Sequence, residues 1–209
     1  MSLIVLKRTP SIMTFSRPTI PVILVLIALG ACSKKSSSTL SPTAIDSLKS
    51  VFQNINNQVD TTWAAMMQDD NEKMDNLHRI LQEVEYSGNY NHLKLDSLKG
   101  RIDQLKNARY DQQTMSNSEK INQYDSLTNQ VLGEITIFTT RLDQFEQYPI
   151  MGRLLQEVFE ADERVLRHRI AYDRSAKQYN SFIQSHQDAL PQIAKQAALS
   201  PKPLFELQN

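Results

Sequence analysis

The sequence predicts an all-α protein, an elongated antiparallel bundle of three to four long helices, and three observations carry that expectation. Beyond the N-terminal region, prolines fall only at 42, 149, 191, 201 and 203, so 43–148 and 150–190 lack the residue that helix interiors exclude. Within those gaps apolar residues recur at steps of three and four, the spacing of one helix face. No stretch alternates convincingly at period two, so no strand is expected. Long helices joined by short connections must run antiparallel to bury their stripes.

The first helix opens at Ser41-Pro42, an N-cap followed by proline at the first helical position. Its stripe runs Ile45, Leu48, Phe52, Ile55, Val59, Trp63, Met66, Leu77, Leu81 and Val84. The stripe lapses at Asp69-Asp70, where a bend or a solvated turn is expected, and Ser87-Gly88-Asn89 ends the segment. At 1.5 Å per residue this helix approaches ~60 Å, which predicts a rod-like molecule. A second segment carries Leu95, Leu98, Ile102, Leu105 and Ala108. Ser116 and Glu119 have the spacing of a capping box and open a third, with Ile121, Tyr124, Leu127, Val131, Ile135, Phe138, Leu142 and Phe145 on one face. Tyr148-Pro149 interrupts it, because a residue before proline avoids the α region. The fourth carries Leu155, Val158, Phe159, Val165, Leu166, Tyr172, Ala176, Tyr179, Phe182 and Ile183. A short helix near Ile193–Ala198 is expected in the proline-containing tail, 191–209. Asp69, Asp70, Arg164 and Arg169 would break a long heptad seam, so a self-contained bundle ranks above a continuous dimeric coiled coil.

Ahead of the bundle, residues 22–32 read VILVLIALGAC, with Arg17 before them. Basic residue, short apolar run and small residues form the pattern of a secretory signal peptide, here 1–31 with a start at Met1 or Met13. The apolar run to Ala31 is about half the ~20 residues needed to span a bilayer. Leu29-Gly30-Ala31-Cys32 resembles a bacterial lipobox, which implies diacylglyceryl and N-acyl lipid on Cys32 and a membrane held through that anchor. Ser33 after the cysteine favours the outer membrane in a Gram-negative cell. Residues 32–43 continue as a Ser/Lys-rich tether too poor in apolar residues to fold, and 44–190 form the bundle.

Composition removes several function classes. The chain has 23 basic and 23 acidic residues in 209. Lys7, Arg8 and Arg17 leave with the signal peptide, so the mature chain carries 20 bases against 23 acids, a net of −3. That gives no basic footprint for nucleic acid. Five glycines, none paired as a phosphate-cradling loop, remove Rossmann and P-loop readings. One cysteine removes an intramolecular disulfide framework and any multi-cysteine metal site.

The region 146–206 carries five motifs. Glu146-Gln147-Tyr148-Pro149 is the first, and the run from Leu155 to Val165, LQEVFEADERV, is the second. Arg169 with Tyr172 follows, then Tyr179-Asn180 with Phe182-Ile183, and PKPLFE at 201–206 closes the series. In these the chain resembles the LemA family of bacterial envelope proteins. Trp63, Asn76-Leu77 and Ala108-Arg109 fit the family pattern more loosely. Its basic pair and proline in the first helix are absent, with Asp69, Asp70 and Asp75 nearby, and the family's usual transmembrane start is replaced by the lipobox. The resemblance implies an antiparallel helical bundle held at a membrane, in a family without an established enzymatic activity.

Catalytic constellations are thin. A di-iron bundle needs two Glu-x-x-His pairs, and only Asp75/His78 has a carboxylate–histidine pair at that offset. Asp69, Asp70 and Glu72 lack EF-hand spacing and read as a solvated acidic face. Gly-x-Ser-x-Gly is absent. The expectation is therefore no enzyme, no metal and no cofactor beyond the lipid on Cys32. The module would contact an unidentified envelope or membrane protein. Arg164, Arg169, Tyr172, Tyr179 and Asn180 are its candidate interaction surface, with Arg164 and Arg169, near Asp162, Glu163 and Asp173, expected to pair with carboxylates. The alternative is a binding protein for a small amphipathic ligand or cell-wall fragment.

Overall fold

A computed structural model describes residues 40–143, 145–194 and 199–205. The signal peptide, Cys32 and most of the tether lie outside the described residues, as does the expected helix beyond Ala194. All regular structure among the described residues is helical: α1 (Pro42–Ser87), α2 (His92–Ala108), α3 (Ser118–Thr140), α4 (Pro149–Ser185) and the single turn α5 (Leu190–Ile193). Short 3₁₀ turns at Thr114–Ser116 and Phe145–Gln147 precede α3 and α4.

Local chemistry sets the ends. The Ser41 hydroxyl accepts the Ala44 N–H at 3.2 Å and Pro42 occupies the first turn, so α1 starts where its cap stands. It ends at Gly88, whose φ of 73° is the left-handed conformation that residues with a Cβ resist. Asn91 caps α2 through the Lys94 N–H. The expected capping box at Ser116 is corrected by one residue: Asn117 is the cap, its side chain accepting the Glu119 N–H at 3.0 Å. α3 also stops earlier than its stripe suggested, with Leu142 and Phe145 lying in the connection to α4. The last turns hold Thr136, Thr139 and Thr140, each hydroxyl bonded back to the carbonyl four residues earlier. β-Branching and such back-bonding both weaken a helix near its end.

Side-chain pairs show the antiparallel order. Lys99 meets Glu85 and Arg109 meets Asp70, so α2 descends as α1 rises. Phe52 meets Phe182, Trp63 meets Tyr172 and Lys73 meets Asp162, which runs α4 antiparallel to α1 along most of its length. The 46 residues of α1 extend ~69 Å. No residue of α1 before Val59 is buried, and there Leu48, Phe52 and Ile55 pack half-exposed beside α4. Beyond Met74 all four long helices close over a dry core of Leu77, Ile80, Leu81, Leu98, Ile102, Val131, Ile135 and Val158. Phe159 and Leu166, counted in the α4 stripe, are instead 44% and 50% exposed.

The Asp69-Asp70 lapse is no bend. α1 passes through it unbroken, and both carboxylates point into the protein.

Candidate functional site

Asp69 and Asp70 are consecutive, so they lie about 100° apart around α1 and serve different neighbours. Asp69 faces α4: its Oδ1 accepts Arg164 Nε at 2.8 Å and its Oδ2 stands 3.0 Å from His168 Nε2. Arg164 also donates to Glu72 at 3.0 Å. Asp70 faces α2 and α3, accepting the Tyr124 hydroxyl at 2.6 Å and an Arg109 N–H at 3.3 Å. Lys73, 2% exposed, stands between Asp70 at 3.1 Å and Asp162 at 2.8 Å. One turn of α1 is thereby tied to all three other long helices. A solvated acidic face was expected here; the structure gives a buried, paired network, because Arg109, Tyr124 and Arg164 arrive from elements distant in sequence. Burial, reinforced by Asp70, pushes the Tyr124 phenol well above its ordinary range, so it stays a hydrogen-bond donor.

A second cluster sits beside this network. Arg169 on α4 donates twice to Asp125 on α3, at 2.6 and 2.7 Å. Its guanidinium also lies over the rings of Tyr110, 5.5 Å away, and Phe205, 5.2 Å away. Burial alone would lower the Arg169 pKa, but Asp125 and Tyr110 together outweigh it and the group stays charged. Burial pushes the Tyr110 phenol up to about 12. Phe205 enters a box of Trp63, Tyr110 and Tyr172, with ring centroids 6.3, 5.7 and 5.7 Å from its own.

The segment carrying Phe205 is extended and held on α4. The Asn180 side chain accepts the Lys202 N–H at 2.7 Å and donates to the Lys202 carbonyl at 2.8 Å. Asp173 Oδ1 accepts the Phe205 N–H at 2.8 Å. Burial raises the Asp173 pKa, partly offset by that N–H.

The five residues singled out as an interaction surface therefore come together differently. Tyr172, Tyr179 and Arg169 are interior, at 0%, 3% and 8% exposure, while Arg164 and Asn180 are half-buried and committed to Asp69, Glu72 and Lys202. Both arginines pair with carboxylates, as expected; the partners are Asp69 and Glu72 on α1 and Asp125 on α3, not the nearer Asp162, Glu163 or Asp173. Asp125 and Phe205 were missed as members of this cluster, since neither stands near Arg169 in sequence. The histidines are dispersed. His78 is 3.9 Å from Asp103, His92 lies beside Tyr90, and His186 is stacked on Phe182. Among the described residues no cluster of three or more His, Cys, Asp or Glu is placed to hold a metal ion.

Open surface gathers elsewhere. At the end where α1 meets α2 and α3 meets α4, Tyr86, Leu93, Ile137 and Ile150 are exposed, Leu93 at 84%. A groove of about 440 Å³ lies at this end, lined by Tyr90, Lys94, Glu134, Phe138, Arg141 and Leu142 among others. No described helix is long and apolar enough to cross a membrane. Compared with known proteins, the chain matches no family model, no curated protein and no solved structure.

Proposed function

We propose that this protein is a membrane-anchored envelope lipoprotein whose LemA-like bundle is a non-catalytic interaction module. The observation that carries the reading is Leu29-Gly30-Ala31-Cys32 at the end of a short apolar run, followed by a serine-rich tether. The bundle is in keeping with it. Its interior Asp69, Asp70, Lys73 and Arg169 are in ion pairs, and four large apolar side chains are exposed at one end. That end lies ~69 Å along α1 from Pro42, where the tether meets the bundle. Several of the residues that carry the LemA resemblance, Arg169, Tyr172, Asn180 and Phe205, converge where residues 201–205, a strap across α4, meet the aromatic box. There they hold residues 201–205 against α4.

Metabolic labelling with palmitate tests the anchor. The wild-type protein should take up label and fractionate with membranes, while Cys32→Ser should be unlabelled, soluble and unchanged in helical content. An unlabelled wild type, or a Cys32→Ser variant that stays with the membrane, would contradict the reading.

The 440 Å³ groove favours a second reading, a site for a small amphipathic ligand, because Tyr90, Phe138 and Leu142 offer apolar wall beside Lys94, Glu134 and Arg141. Ligand-dependent thermal stabilisation would mark that reading.

A further inference from the structure

We infer that the face of α4 from Asp173 to Asn180, with the aromatic box beside it, is a recognition groove for an extended Pro-x-Pro-x-Phe peptide, occupied in this structure by the chain's own residues 201–205. This deepens the interaction-module reading by naming what the module takes.

The groove and the segment match in spacing. Asp173 and Asn180 are seven residues apart, two helical turns, or ~10.5 Å along α4. Lys202 and Phe205 are three residues apart, and three extended residues span ~10 Å. The helix thus offers two side-chain anchors at the repeat of an extended chain running antiparallel to it. Both anchors engage backbone: Asn180 takes the N–H and C=O of Lys202, and Asp173 takes the N–H of Phe205. Such contacts recognise an extended chain whatever its side chains.

Side-chain selection comes from three further contacts. The Phe205 ring fills the box of Trp63, Tyr110 and Tyr172 under the Arg169 guanidinium. The Lys202 ammonium lies 5.5 Å from the centre of the Tyr179 ring. Pro201 and Pro203 bring no N–H that would need a partner, and fix φ near the extended value. Every residue of the seat belongs to the bundle or to the α2–α3 connection, so nothing in the groove requires the peptide to be covalently joined to it. Space flanks the strap as well, about 380 Å³ beside Met115, Ile121 and Leu204.

The test uses purified full-length protein with Phe205→Ala, which weakens the resident segment, and a fluorescent peptide LSPKPLFE matching residues 199–206. Trp63, the only tryptophan, stacks on Phe205 and reports the box independently. The folded variant should bind the peptide saturably with a change in Trp63 fluorescence. It should bind the Phe-to-Ala peptide at least about tenfold more weakly, and wild type should bind about a hundredfold more weakly because the tethered segment competes at an effective millimolar concentration. Adding Asn180→Ala to the variant should weaken binding again. Binding neither peptide, or both equally, would overturn the inference. If Phe205→Ala does not fold, fluorine-labelled Phe205 in the wild-type chain decides. Peptide at about 5 mM should shift its resonance to a solvent-exposed position, and an unmoved signal would overturn the inference. Because no membrane enters this experiment, its failure leaves the lipid-anchor reading standing, and the reverse holds for palmitate labelling.

Discussion

Beyond Met74 the four helices meet through Leu77, Ile80, Leu81, Leu98, Ile102, Ile135 and Val158, each with no surface exposed. One turn earlier the same helix turns Asp69, Asp70 and Lys73 inward, where directed hydrogen bonds and ion pairs hold them. The two layers do different physical work. Apolar contact is nearly indifferent to direction, so the dry layer supplies free energy in proportion to buried area. A buried carboxylate is stable only against its particular donors, so the polar waist tolerates few arrangements of α1 relative to its neighbours. The cohesive part and the alignment-setting part are thus adjacent turns of one helix.

Lys73→Ala should separate the two layers most clearly. It leaves Asp70 buried with less compensation and should lower unfolding free energy by about 3–5 kcal/mol, measured by urea denaturation. In the dry layer Leu77→Ala should lose about 2–5 kcal/mol, mostly through the cavity it leaves. The layers differ in how they recover. Replacing Asp70 by Leu, Lys73 by Met and Tyr124 by Phe together should restore much of what Lys73→Ala loses, since both buried charges and the hydroxyl that donates to Asp70 leave at once. A triple variant as unstable as the single one would show that the waist contributes cohesion as the dry layer does.

A smaller effect belongs to the α3 entrance, where Asn117→Ala should cost about 1 kcal/mol and Ser116→Ala almost nothing. Reversal of that order would restore the capping box read from the sequence.

The smallest effect concerns pH. Burial raises the Asp173 pKa in the folded protein, so its contribution is fully present below the unfolded carboxylate pKa and is lost as pH rises through the folded value. Asp173→Asn keeps an oxygen for the Phe205 N–H and should abolish that decline. Near neutral pH it should therefore be as stable as wild type or slightly more so, whereas Asp173→Ala should release the strap. Thermal melts across the acid range would check both.

Long elements were the most legible part of the sequence. Proline spacing and the three–four period located four helices, and Ser41-Pro42 and Gly88 marked the ends of α1, because these signals depend only on neighbouring residues. The end of α3 was harder, since Leu142 and Phe145 continue the apolar period after the threonines have weakened the helix. Asp69 and Asp70 looked like solvated charges because their partners, Arg109, Tyr124 and Arg164, come from other helices. Seven-residue spacing did put Tyr172 and Tyr179 on one face. It could not say that this face is turned toward Trp63 and Phe52. Phe205 had only a family-like motif to single it out.

The most direct test of the interaction module is photocrosslinking in living cells. A photoreactive residue would replace Leu93, Ile137, Ile150, Leu166 and Ile170 one at a time, with exposed positions on α1 and α2 for comparison, followed by mass spectrometry. The account predicts that one envelope or membrane protein is trapped from a single contiguous set of positions, and that Cys32→Ser abolishes the capture. A lipidated, folded protein that traps nothing specific from any position would contradict it.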